Sequence, residues 1–283
     1  MEPETRNVLI DPNSLQARQH LLGNGQRRRL SSFLKALNLV GHARASFGRG
    51  LRWTEVAGWR RVLGVLSTRL PTAAAWLGRP LQASDLTAFD LLVLTTRFRA
   101  CPYTRSELKA IEDFVCAGGS LWVMANHSRV PGTRMGDFTT EDSRLLSRFG
   151  IRTAEACFHT PGHLTELAIR GEAAYTLWPD RPGQISGPPV VINNCCGFHA
   201  NSAQALVMLN EDMVDQGPNR LSPVGMAFAV LIDQNSSGGR VLATADSGFI
   251  GEPGVPASGP GLIDRGGNRQ FIDRAIWWLL GSG

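Results

Sequence analysis

The chain has 283 residues, 43% of them hydrophobic, which suits a globular protein with one sizeable core and excludes a low-complexity or disordered class. No run reaches the about 18 apolar residues that a membrane-spanning helix needs. Net charge is +5 but lopsided: residues 1–80 hold 13 Arg or Lys against 4 Asp or Glu, and the remainder holds 16 against 20. Such asymmetry can mark an anionic partner. Lys35 and Lys109 are the only lysines, however, and no basic stripe with interleaved aromatics follows, which argues against nucleic acid.

In chain order, Met1–Asn7 is charged and lacks the apolar core of a secretion signal, so the expected location is cytoplasmic. Asn7–Asp11 is a short apolar run stopped by Pro12, the pattern of a buried first strand. Leu30, Phe33, Leu34, Leu37 and Val40 fall on one helical face ended by Gly41, completing a βα unit. The stretch 51–77 is rich in Trp, Arg and Leu and reads as helical, with Trp53, Trp59 and Trp76 as packing anchors. Phe89–Thr95 is a continuous apolar strand of the kind buried on both faces. Thr104 stands three residues before Glu107, the signature of a capping box, and Leu108, Ile111, Phe114 and Val115 give that helix its apolar face. Leu121–Ala125 is a further buried strand. Successive βα units predict a parallel, doubly wound sheet.

Beyond Gly150 the pattern changes. Apolar runs at Leu164–Ile169, Val190–Ile192, Ala205–Leu209, Met226–Ile232 and Val241–Ala245 are separated by turn-rich loops, and a helix with Phe271, Ile272, Ala275, Ile276 and Trp278 closes the chain. The expectation is a single domain over 1–283 with a strand-rich insertion at about 151–238. Five cysteines, an odd number without Cys-x-x-Cys spacing, point to reduced thiols rather than a disulfide framework, zinc ribbon or thioredoxin-like motif.

Two segments carry more than generic α/β character. The first runs from Phe89 to Asn126: strand, loop, capped helix, Gly118-Gly119, strand. The second is Gly238–Gly251, followed after a loop by Gly267–Gly281. Together with the opening unit they resemble the class I glutamine amidotransferase-like domains found in ThuA-like proteins and in the GIFT domain of intraflagellar transport. The resemblance implies a flavodoxin-like, mostly parallel sheet. A working class I amidotransferase needs a Gly-x-Cys-x-Gly elbow that exposes a thiolate at a helix N-terminus. Here the strand ending at Ala125 runs into Asn126-His127-Ser128-Arg129, and no such elbow occurs anywhere in the chain. The family's C-terminal His-Pro-Glu element is absent too. The resemblance therefore implies a location without glutaminase chemistry.

In open α/β sheets, ligands bind beyond the carboxyl ends of the strands. That rule gathers Asp11, Asn13, Thr96, Arg97, Asn126, His127, Ser128, Asp246 and Ser247 along one rim. His127 is the candidate base, Ser128 a nucleophile, and Asp246 the orienting carboxylate. Asp11, Asn13, Arg97, Asn126 and Ser247 are the candidate ligand contacts, with Arg97 meeting a carboxylate or phosphate. The bland alternative is that Asp11, Asn126 and Asp246 cap loops and helix starts, as Asx residues do. His159 and His163 are four apart, but Pro161-Gly162 between them forbids the helix that would make the spacing meaningful. Cys196 near His199 could be an activated thiolate; the plain reading of Asn193–His199 is a tight turn with buried thiols.

The leading expectation is a divergent amidotransferase-like protein that binds a small polar or anionic ligand at the rim, with no cofactor and no metal. Whether it turns that ligand over stays open; if an enzyme, it is a hydrolase or lyase. A cysteine- or histidine-dependent hydrolase or lyase is one alternative. The other is a non-catalytic interaction module of the GIFT type, with Trp53 to Trp76, Arg60 and Arg61 as contact surface. A small-molecule ligand or substrate is expected as partner, and no membrane; a homo-oligomer is left open.

Overall fold

The computed structural model describes residues 6–11, 13–14, 33–36, 43–46, 80–97, 99, 101–133, 136–169, 176–178, 188–199, 204–233, 238–251 and 262–281. The Trp53 to Trp76 segment, with Arg60 and Arg61, lies outside them. The apolar runs read from the sequence form the strands of the sheet's centre. β1 (Arg6–Ile10), β3 (Leu91–Thr95), β4 (Ser120–Met124) and β12 (Arg240–Thr244) are buried almost throughout. β1 also pairs with β2 (Ala43–Ser46), so β2-β1-β3-β4-β12 is one parallel array. Counting these strands in chain order gives 2-1-3-4-5, the flavodoxin-like order, with its switch point between β1 and β3.

From β12 outward every pairing is antiparallel. Residues 152–233 supply β5 (Arg152–His159), β6 (Thr165–Leu167), β7 (Val190–Ile192), β8 (Cys195–His199), β9 (Gln204–Met208), β10 (Val214–Asp215) and β11 (Met226–Asp233). The main sheet runs β10-β5-β8-β11-β12-β4-β3-β1-β2, with β9 also on β11, while β6 and β7 form a separate pair. The fold is α/β with one large mixed sheet. Its core continues without a break across both halves, from Val8 and Leu92 through Val123 and Ala243 to Phe228 and Phe158.

Among the described residues the helices are few. α1 (Ala83–Leu86) is one turn, and α2 (Arg105–Cys116) follows the Thr104 cap. In α2 both halves of the expected capping box form: the Thr104 hydroxyl accepts from Glu107 N, and Glu107 accepts from Thr104 N. α3 (Thr139–Leu146) has only two consecutive apolar residues in a polar string, and the sequence gives it no clear helical face. α4 (Asn268–Leu279) packs on the sheet through Phe271, whose ring meets Phe249, which in turn meets Trp122 of β4. Phe33, in a helical turn at 33–36, packs edge-on against the same Trp122. No described helix is long and apolar enough to cross a membrane.

One local expectation is corrected. Cys195–His199, read above as a tight turn, is strand β8, hydrogen-bonded between β5 and β11. Gly197 hid it from a propensity reading. The space above Gly197 is tight: a Cβ there would stand 3.0 Å from Met226 Sδ and 3.2 Å from Leu209 and Phe158, so these side chains would have to shift slightly.

Candidate functional site

Because β1, β3, β4 and β12 run parallel, their carboxyl ends share one edge, and all the candidate residues stand on it. All are buried: Asp11, Asn13, Arg97, Ser128 and Ser247 completely, and Asp246, Asn126 and His127 with at most 7% exposure. Burial obliges each polar group to find a partner or carry a desolvation cost. The partners divide the rim into two unlike ends.

At the end formed by β1 and β3, Asp11 accepts from Asn13 N (3.1 Å) and from Arg97 Nε (2.8 Å). Arg97 Nη2 lies 2.7 Å from Asp11 Oδ2 and 3.1 Å from Glu107 Oε1, and the guanidinium sits 4.1 Å from the Tyr103 ring centre. Burial works against the guanidinium's charge, but Asp11, Tyr103 and Glu107 hold its pKa above the ordinary value. Glu107 also accepts from Leu81 N and from Thr104. The one rim arginine drawn from the sequence is thus bracketed by two carboxylates of the protein itself.

At the end formed by β4 and β12, Asn126 Nδ2 donates to Ser247 Oγ (2.9 Å), tying the two strand ends together, and Asn126 Oδ1 accepts from His127 N (2.8 Å). Asp246 Oδ1 accepts from Gly248 N (2.6 Å), an Asx turn at the start of the short 3-10 helix 248–250. Burial pushes the Asp246 carboxyl up to about 7, against the lowering pull of the Gly248, Phe249 and Ser247 amides. His127 Nδ1 lies 2.7 Å from the Ser128 carbonyl oxygen, which can only accept. The proton therefore sits on Nδ1, and Nε2 keeps its lone pair. The ring is packed edge-on against Phe138, and burial lowers its pKa below the ordinary histidine value.

No hydrogen bond joins His127 to Asp246 or to the Ser128 hydroxyl, so these three form no relay. The sequence reading missed a central participant. Asp142, in the first turn of α3, accepts from Thr96 Oγ1 (2.7 Å) and Asn126 N (3.0 Å), both on Oδ2. Its Oδ1 and the Ser128 Oγ are buried rim oxygens without a hydrogen-bond partner. Asp215 of β10 was missed as well; it accepts from Cys157 N, Gly217 N and Leu221 N and holds that corner of the sheet.

Cys101, Cys157, Cys195 and Cys196 are core residues, and Cys116 is exposed at the end of α2. Burial pushes Cys157 up to about 12 and Cys196 well above the usual thiol range. Cys196 and His199 are three apart in β8, so their side chains leave opposite faces of the sheet and the base–thiol pairing does not form. Among the described residues, His159 and His163 belong to no cluster able to hold a metal ion. A cavity of about 480 Å³ lies at the opposite edge of the sheet, lined by Arg6, Asp90, Gly118, Gly239, Arg240 and Leu280 among others, far along the strands from the rim.

No protein-family model and no curated protein matches this chain. Solved structures do resemble it. The mmIFT52 N-terminal domain aligns over 98% of both chains with a TM-score of 0.62 at 12% identity. A cytoplasmic protein from Salmonella typhimurium LT2 aligns over 98% of this chain and 99% of its own with a TM-score of 0.53 at 13% identity. A ThuA-like protein from Bacteroides uniformis aligns over 98% and 91% with a TM-score of 0.47 at 11% identity. At such identities the first two establish a shared fold along the whole chain, and nothing about activity.

Proposed function

We propose that this chain is a divergent, doubly wound amidotransferase-like domain, lacking the elbow nucleophile, that binds a small polar ligand at the β4/β12 end of its rim. One observation carries the reading. Ser128 Oγ and Asp142 Oδ1 are buried oxygens without partners on the residues that flank His127, whose Nδ1 proton is engaged by the Ser128 carbonyl. Unsatisfied buried polar atoms are rare and call for an explanation, and a ligand that completes them is one. Asn126 and His127 are the members of this group that keep some exposure, 7% and 6%. His127 is the residue able to take up a proton from such a ligand, as a hydrolase or lyase would require. Arg97 leaves the ligand set, since its charge is already offset. Native mass spectrometry of the full chain purified from its own host tests this. The reading predicts a non-covalent small-molecule adduct on the wild type that is lost in His127→Ala. A wild type that always travels at its bare mass contradicts it.

A second reading, a non-catalytic interaction module of the GIFT type, is favoured by a different observation. Asp11 and Asp246 act as turn caps, Arg97 is internally paired, and burial keeps the Cys157, Cys195 and Cys196 thiols protonated, which leaves no assembled catalytic set among the described residues. That reading predicts the bare mass in the same measurement, and places binding on the Trp53, Trp59 and Trp76 segment instead.

A further inference from the structure

Six carboxyl groups are buried among the described residues, and their partners single out one of them; Glu107 and Glu141 have both oxygens engaged. Asp11 places one oxygen on Asn13 N and the other on Arg97. Asp215 places Oδ1 on Cys157 N and Gly217 N, and Oδ2 on Leu221 N. Asp246 takes amides from the turn that follows it. Asp142 differs, because both of its hydrogen bonds fall on Oδ2 and Oδ1 has none.

The protonation state of Asp142 follows from its surroundings. The residue is completely buried and forms no ion pair with a described cation. Its charged neighbours are Asp137 and Glu141, the latter ion-paired with Arg144; Tyr103 and Cys196 face it from other elements, and burial holds both of those neutral. A carboxylate in such a place is far costlier than the acid, and burial accordingly raises its pKa well above the ordinary value. With Oδ2 already accepting twice, the acidic proton belongs on Oδ1. That atom is then a donor in search of an acceptor.

We infer that Asp142 is the ligand-contacting carboxyl of the rim, donating from Oδ1 as a neutral acid to the carbonyl or hydroxyl oxygen of a small uncharged molecule. This rests on the rim reading above and narrows it. An anion would add charge beside Asp137 and Glu141, and a cation would require a buried, ionised Asp142.

Three probes of matched size separate the cases in the full-length chain: acetamide, acetate and ethylammonium, followed by the backbone amide resonances of Asn126, His127 and Ser128. Acetamide is expected to shift these signals saturably, and the two ions at equal concentration to leave them in place. Asp142→Asn keeps a donor where Oδ1 stood and is expected to bind acetamide within about twofold of wild type, while Asp142→Ala weakens it about tenfold. The probe series itself uses the wild type and does not depend on a variant folding. An Asn variant as impaired as the Ala variant overturns the neutral acid. A response to acetate or ethylammonium equal to or above that to acetamide overturns the ligand class and leaves the rim reading standing. Three silent probes overturn both.

Discussion

The two ends of the rim are built from the same materials and finished differently. At the β1/β3 end, which is the topological switch point where open α/β sheets usually hold their ligands, the buried Arg97 is ion-paired with both Asp11 and Glu107. At the β4/β12 end, Asp142 holds the Asn126 backbone through one oxygen and leaves the other without a hydrogen bond, and the Ser128 hydroxyl has none either. A binding residue and a structural residue cannot be told apart by type, since both ends offer acids and amides. They differ in charge: at the first end a cation sits between two carboxylates, whereas at the second Asp142 has no described counter-ion.

The largest effect expected from this difference is at the closed end. Arg97→Met leaves Asp11 and Glu107 buried with their cation gone, and should cost about 3–5 kcal/mol in urea denaturation. A loss below about 1 kcal/mol would show that the network is not closed. Next comes Asp246. Its folded pKa of about 7 stands above the ordinary value of 3.8, so the folded state holds a proton that the unfolded chain releases between those limits. Its contribution to stability is therefore intact below about pH 4, declines as pH rises, and is gone above about pH 7. Wild type should lose about 1 kcal/mol per pH unit across that window relative to Asp246→Asn, whose amide can still cap Gly248. Parallel pH profiles of the two proteins would contradict the assignment. Smaller again is Thr104→Ala. It removes the cap from the helix that carries Glu107, and should cost about 1 kcal/mol by the same denaturation measurement. If it also weakens the Arg97 network, its effect will depend on whether Arg97 is present, which a double-mutant comparison resolves.

Much of the frame was legible in the sequence because it is written in repeating signals. The apolar strands at Val8–Ile10, Leu91–Thr95, Leu121–Met124 and Val241–Thr244, the Thr104–Glu107 box and the closing helix all appear where periodicity and capping place them. The strand-end rule brought the candidates to one edge. What the sequence hid were elements without a local signature. α3 reads as a polar string in which nothing singles out Asp142, and β8 carries a glycine packed tightly under Met226, Leu209 and Phe158. The pairing of Arg97 with Asp11, 86 residues away, depends on two strands lying side by side and has no trace in either segment alone.

The claim that the β4/β12 end is incomplete is tested most directly by the stability of Ser128→Ala. A buried hydroxyl without a partner costs free energy, so removing it should leave the ligand-free protein unchanged or up to about 1 kcal/mol more stable in urea denaturation. A loss of more than about 1.5 kcal/mol would mean that the hydroxyl is engaged after all, and that it is not held open for a ligand.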